Sequence, residues 1–257
     1  MHLNHAALLF AAAVVAGGLN SVAGGGGFIA FPALIFTGML PINANATNTV
    51  ALWPGTVASV GAYRRELEGR EKWKMLMPLF VVTTLGSLVG AKLLLKTSQS
   101  TFMRVVPWLL LGATLTFAVG GPLSNWIRRR VERHAHASQA ALFAVTLLQL
   151  AVAVYIGYFG AGAGILMLAL LAVMGMENIH TMNAFKTLLA SLANAIAIVT
   201  FVLAGAVVWP QAILMTVGAA LGGYGGAWYA QKLDQKVVRY LIIAIGTGMT
   251  TYFFLRK

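Results

Sequence analysis

The 257 residues contain no cysteine, which removes disulfides, thiolate nucleophiles and thiolate metal sites together and leaves the redox compartment undetermined. Charge is almost as scarce: 18 lysines and arginines and 6 aspartates and glutamates make 9% of the chain charged, where a soluble domain carries about a quarter. With 59% of the residues apolar, so few charges cannot cover a globular surface while hiding the apolar majority. That excludes a soluble domain and describes a polytopic membrane protein. Read as spans of about 20 residues, the length holds about eight to ten membrane segments.

Acidic groups are missing where they would matter most. Glu66, Glu68, Glu71 and Glu132 sit in basic loops, Glu177 follows a short apolar segment and Asp234 is in a loop. No carboxylate lies inside an apolar run, which argues against a cation pump, a carboxylate proton relay or a two-carboxylate hydrolase. His134 and His136 form a pair in a solvated basic loop and are not read as a metal site. The GAGAG run at 160–164 lacks the strand, the spacing and the acidic ligand of a dinucleotide fingerprint. The reading therefore includes no enzyme activity, no cofactor and no metal.

What is present is ten apolar stretches, at 6–22, 28–40, 44–62, 76–95, 105–124, 138–156, 165–175, 181–203, 211–230 and 238–255. Ala6–Ala16 could open a signal peptide, but no lysine or arginine precedes it and apolar character resumes after the glycines, so it is read as a mature segment. The stretches 28–40 and 165–175 are too short to cross a bilayer, and each follows a glycine cluster. The net charge of +12 is gathered in short basic clusters between apolar runs, which suits membrane orientation rather than nucleic acid. Arg64, Arg65, Arg70, Lys72 and Lys74, then Arg128, Arg129, Arg130 and Arg133, then Lys232, Lys236 and Arg239 belong inside by the positive-inside rule. Both termini then lie outside the cell membrane.

A shift of 137 residues lays 25–52 on 162–189 with seven identities, among them Gly25 on Gly162, Gly27 on Gly164, Gly38 on Gly175 and Met39 on Met176. The charge assignment puts residue 41 outside and its partner near 178 inside. The reading is an all-α polytopic fold of two inverted repeats, 1–135 and 136–257, with glycine-broken short helices. That is the sequence sign of a secondary transporter with its site near the midplane. Gly38 and Gly175, ending the short segments, are hinge candidates.

The chemistry of the breaks points to an anion. Gly25, Gly26 and Gly27 precede a helix starting at Phe28, and Gly162 and Gly164 precede one starting at Ile165; free N–H groups and the positive dipole end make such starts anion sites. Glycines such as Gly86, Gly90, Gly112, Gly218 and Gly222 are instead read as packing positions. Polar residues follow each short segment: Asn43, Asn45, Thr47, Asn48 and Thr49, then His180, Thr181, Asn183, Lys186 and Thr187. Asn43 and Thr181 suit capping, but the polarity runs on into the apolar stretch, where unpaired groups are costly. Lys186 is an intramembrane cation and the leading binding candidate, although its stem is long enough to snorkel. Asn194 extends the line two turns on, Gln149 is a looser candidate, and His180 is the one histidine near the site with a pKa suited to proton coupling.

With these residues in view, the chain resembles the TauE/SafE sulfite exporter family over essentially its full length. The resemblance rests on AGGGGFIAFPALIFTGMLPINANATNTVAL at 23–52, on Tyr63-Arg64-Arg65, and on GAGAGILMLALLAVMGMENIHTMNAFKTLLAS at 160–191, with Asn194 beyond. It implies transport, often outward, of small sulfur-containing anions such as sulfite, sulfoacetate or related organosulfonates. One departure is Ala169, which stands where the first half has Pro32. The expected partners are a small anionic substrate and the lipid bilayer, without nucleic acid; self-association into a homo-oligomer stays open. An anion channel, a non-transporting scaffold and a membrane enzyme are the competing readings. Saturable counterflow separates carrier from channel, and an enzyme needs paired acids, a metal cluster or an activated nucleophile.

Overall fold

The computed structural model describes residues 3–68, 70–131, 139–174, 176, 178–230 and 235–255. His134, His136, Gly175, Glu177 and Asp234 lie outside these. The described residues form helices α1 (Leu3–Ala23), α2 (Gly27–Phe36), α3 (Pro41–Ala62), α4 (Arg70–Lys96), α5 (Gln99–Val131), α6 (Gln139–Tyr158), α7 (Ala163–Val173), α8 (Ile179–Leu203), α9 (Trp209–Ala230) and α10 (Gln235–Leu255), with a 3-10 turn at Arg64–Leu67. Each apolar stretch becomes one helix.

Four of these are long and apolar enough to cross a membrane, within Leu3–Asn20, Leu76–Lys96, Gln99–Val119 and His180–Leu203. The 22 residues of α3 have the length, but their polar first half lowers the hydropathy. The outer faces of the bundle carry exposed Leu85, Val89, Trp108, Leu147, Ile213 and Leu221. Water would penalise such a surface, whereas lipid covers it.

The helix starts differ from the capping expected at Asn43 and Thr181. Pro41 opens α3 at a position where its missing N–H costs nothing. Asn178 opens α8, its Oδ1 accepting from the N–H groups of His180 at 2.8 Å and Thr181 at 3.2 Å. Asn43 and Thr181 lie inside the first turns, and their side chains reach other elements instead.

Packing is set by glycine. A Cβ at Gly222 would overlap the carbonyl of Val14, and one at Gly17 the carbonyl of Ala219, so α1 and α9 touch backbone to backbone. Gly90 against Val154 and Gly157 against Ser87 do the same for α4 and α6. Gly112 is an exception to the packing expectation, with open space around it. Between α4 and α6, the Gln149 amide donates to Thr83 Oγ1 at 2.9 Å. In α5, Pro122 has no N–H to offer the Ala118 carbonyl. Arg239 of α10 fills that place, donating to Ala118 O at 2.7 Å and Phe117 O at 3.0 Å.

Exchanging α1–α5 for α6–α10 leaves the main contacts unchanged. α1 meets α9 as α6 meets α4; α3 meets α9 as α8 meets α4; α2 meets α10 as α7 meets α5; α3 meets α8 and α5 meets α10. The directions follow from residue pairs. Gly218 lies at Phe10 and Gly222 at Val14, so α1 and α9 are parallel; Gly86 at Leu150 and Gly90 at Val154 make α4 and α6 parallel. Trp53 bonds to Ser191 while Glu66, just past α3, bonds to Thr181, so α3 and α8 are antiparallel. Arg239 at Phe117 and Phe254 at Trp108 make α5 and α10 antiparallel. The alternation of basic clusters requires all four of these relative directions.

Candidate functional site

α2 has 10 residues and α7 has 11, about 15 to 17 Å at 1.5 Å per residue against a hydrocarbon core of about 30 Å. Both therefore begin or end inside the membrane thickness, and each starts at a glycine break. Gly160 and Gly162 take φ of 83° and 76° before α7, where a Cβ is strained. At Gly162 a Cβ would also stand 3.1 Å from Ala113, so conformation and space both demand glycine. The Tyr155 hydroxyl donates to the Ala161 carbonyl and braces this break. Nothing in the sequence reading singled Tyr155 out; its signal is a phenol one turn before a glycine break.

The short helices end alike. The N–H of Met39 bonds to the Leu34 carbonyl and that of Met176 to the Leu171 carbonyl, each at 3.2 Å. Each is the six-to-one bond of a Schellman motif, and the 137-residue shift maps one onto the other. Gly38, at φ 85°, is thus the stop of α2; its counterpart Gly175 is outside the described residues.

The two breaks converge on α3. Asn45 donates from Nδ2 to the carbonyl of Tyr158, the last residue of α6, at 3.2 Å. One turn on, Asn48 Nδ2 stands 3.7 Å from where a Gly27 Cβ would be, at the start of α2. Residues three apart share a helix face, with Cβ atoms about 5 to 6 Å apart, so a single face of α3 looks at both breaks. Asn45 is 2% and Asn48 8% exposed, and each Oδ1 is buried without a hydrogen-bond partner.

α8 brings the charge. The Lys186 stem passes 3.5 Å from a Cβ placed at Gly164, an ordinary contact distance, so the lysine lies against the first turn of α7. Nζ donates to Asn183 Oδ1 at 3.0 Å. Of the described lysine side chains, Lys92 and Lys96 are exposed and Lys186 is partly buried. The first amides of α7, from Ala163 to Ile165, precede the helix's own i→i−4 ladder, as at any helix start. An ammonium beside a helix start favours negative charge. Among the described residues no group of three or more histidines or carboxylates stands ready for a metal.

The other predicted residues are placed as follows. The Phe28 amide is donated to the Gly25 carbonyl at 3.1 Å, and its ring packs edge-on to Phe117, 5.9 Å between centroids. Gly25 is filled by Ile242 and Gly26 lies against the Ala16 carbonyl, so both are packing positions. Ile165 packs partly buried against the aromatic core. Thr47 Oγ1 accepts from the Val208 N–H at 3.0 Å, and Asn43 donates to Ala206 O at 2.9 Å, fastening the 204–208 loop to α3. His180 is exposed in the first turn of α8. Asn194 is partly buried two turns beyond Lys186. Sequence reasoning passed over the bond from Thr181 Oγ1 to Glu66 Oε2, 2.9 Å, which ties α8 to the turn after α3.

Comparison with known proteins agrees with this architecture. The family model described as "Sulfite exporter TauE/SafE" matches residues 9–253. The chain is 30% identical over 245 residues to "Probable membrane transporter protein YfcA" of Escherichia coli (strain K12), covering 95% of this chain and 87% of that one. It is 28% identical over 247 residues to "Probable membrane transporter protein" of Haemophilus influenzae, covering 95% and 92%. No solved structure matches significantly. The chain is thus a multi-pass membrane transporter and belongs to the sulfite exporter TauE/SafE family.

Proposed function

We propose that this protein is a secondary carrier that moves a small sulfur-containing oxyanion, such as sulfite, sulfoacetate or another organosulfonate, outward across the cell membrane by alternating access. The observation that supports the reading is the Lys186 stem passing the first turn of α7 at Gly164, with buried Asn45 and Asn48 of α3 reaching the end of α6 and the start of α2. A small oxyanion held there would meet one full positive charge, a helix dipole and carboxamides. The family description supports a sulfur oxyanion. Gly27, Asn45, Asn48, Gly162, Gly164, Asn183 and Lys186 form the proposed site, and no enzymatic step is part of it.

The two units, 1–135 and 136–257, are proposed to be inverted repeats with both termini outside. The antiparallel crossings of α3 with α8 and of α5 with α10 support this. Because α1 packs on α9 and α4 on α6 through backbone contact, the halves interlock. Alternating access therefore moves the α1–α9 pair against the α4–α6 pair around the site. At the far end of α2 a cavity of about 320 Å³ is lined by His5, Thr37 and Gln211 among others, and by Val208 of the loop that Thr47 and Asn43 fasten. It serves in this reading as the outer vestibule.

The test is sulfite flux into liposomes holding the purified protein. Saturable flux that is accelerated by sulfite on the opposite side is expected. Flux that rises linearly with concentration and shows no counterflow would replace the carrier by a channel, and no flux of any sulfur anion would remove the substrate class.

A further inference from the structure

We infer that the anion this site accepts is singly charged and is itself a hydrogen-bond donor, so that O–H- or N–H-bearing monoanions are chosen over anions of similar size that only accept. The inference rests on the carrier reading above and adds the chemistry of the occupant's other face.

At each break stands a buried oxygen with nothing to accept: Asn45 Oδ1 at the end of α6 and Asn48 Oδ1 at the start of α2. The orientation of Asn45 is fixed, because its N–H already donates to the Tyr158 carbonyl at 3.2 Å and a flipped amide would set two carbonyl oxygens face to face. Its Oδ1 is therefore the end left over. A buried acceptor without a donor loses its hydration and gains nothing in return. An anion made only of acceptors would bring its oxygens against Asn45 and Asn48 and leave both unsatisfied. An anion that also carries a donor resolves both faces: its charged oxygens take Lys186 and the positive end of α7, and its O–H or N–H takes an asparagine oxygen. Lys186 is the one basic side chain that the described contacts bring to the breaks, so a single negative charge is balanced and a second is not. Hydrogen sulfite satisfies both conditions; doubly deprotonated sulfite satisfies neither.

The test uses two competitors with the same charge and carbon skeleton that differ by one hydroxyl, ethanesulfonate and 2-hydroxyethanesulfonate. Both are titrated against Lys186-dependent sulfite flux in liposomes containing the full chain. The hydroxylated competitor is expected to inhibit about tenfold more strongly, and that advantage is expected to fall to about twofold in Asn48→Ala or Asn45→Ala. Loss of the Tyr158 bond threatens folding in Asn45→Ala, so Asn48→Ala is the deciding variant. Thermal stabilisation of the wild-type protein by each sulfonate gives a readout independent of flux. Equal inhibition by the pair, inhibition by neither, or a preference unchanged in Asn48→Ala would overturn the inference while leaving the carrier in place. Absence of Lys186-dependent flux with every anion would overturn both.

Discussion

Replacing Lys186 by methionine isolates the charge from the packing. Methionine keeps an unbranched stem of similar reach, so the groove left by Gly164, where the lysine stem passes 3.5 Å from a Cβ position, stays filled. What disappears is the ammonium and its donor bond to Asn183 Oδ1 at 3.0 Å. A hydrogen bond to a charged group is worth about 1.5 to 3 kcal/mol. If that contact is made to the transported anion, transport efficiency falls about 10- to 150-fold at 1.4 kcal/mol per decade. Stability is expected to change by less than about 1 kcal/mol, because losing the bond to Asn183 is offset by no longer burying a cation, and Asn183 keeps a further interaction of its own. The assay is initial sulfite flux in liposomes, normalised to inserted protein, with the thermal midpoint in detergent measured alongside. Lys186→Ala should remain in the membrane and lose transport as well. Flux within twofold of wild type in Lys186→Met, at an unchanged midpoint, would show that Lys186 only lifts its charge to an interface and would refute the site.

The cysteine-free chain allows sidedness to be read from single substitutions: Ser98→Cys, exposed between α4 and α5, should react with an impermeant thiol reagent in intact cells, and Arg65→Cys only after permeabilisation. The reverse pattern would invert the orientation. Gly90→Ala and Gly222→Ala should each lower stability by about 2 to 3 kcal/mol through overpacking against helix backbone, whereas Gly112→Ala, facing open space, should stay within about 0.5 kcal/mol; thermal midpoints decide, and three equal shifts would refute the packing account. Gly162→Ala should cost about 2 kcal/mol, since it combines a left-handed backbone with a tight contact to Ala113. Gly164→Ala meets only the Lys186 stem at ordinary contact distance, so its midpoint should hold.

Helix number, the two short helices and the relative directions of the long ones were legible because they follow from local quantities. Apolar run length sets a span, glycine permits a break, and lysine and arginine choose a side of the membrane. The division of labour within one motif was not legible. Gly25, Gly26, Gly162 and Gly164 look alike in sequence, yet one receives Ile242, one meets the Ala16 carbonyl, one needs a positive φ and one lies against the Lys186 stem. Asn43, Thr47 and Asn45, on neighbouring turns of α3, likewise divide between fastening the 204–208 loop and reaching the end of α6. Each of the three outcomes on α3 depends on a partner more than 100 residues away, which no window along the chain contains. The interlocked packing has the same origin. Small residues in α1 and α9 announce close approach but not to whom, and only the assembled bundle shows that α1 packs on α9 and α4 on α6. Because the glycines at those crossings leave no room for a methyl group, the α1–α9 and α4–α6 contacts resist sliding. In the proposed alternating access each pair then moves as a unit, and the adjustment falls on α2, α7 and the polar face of α3, where hydrogen bonds rather than backbone contacts hold the parts together.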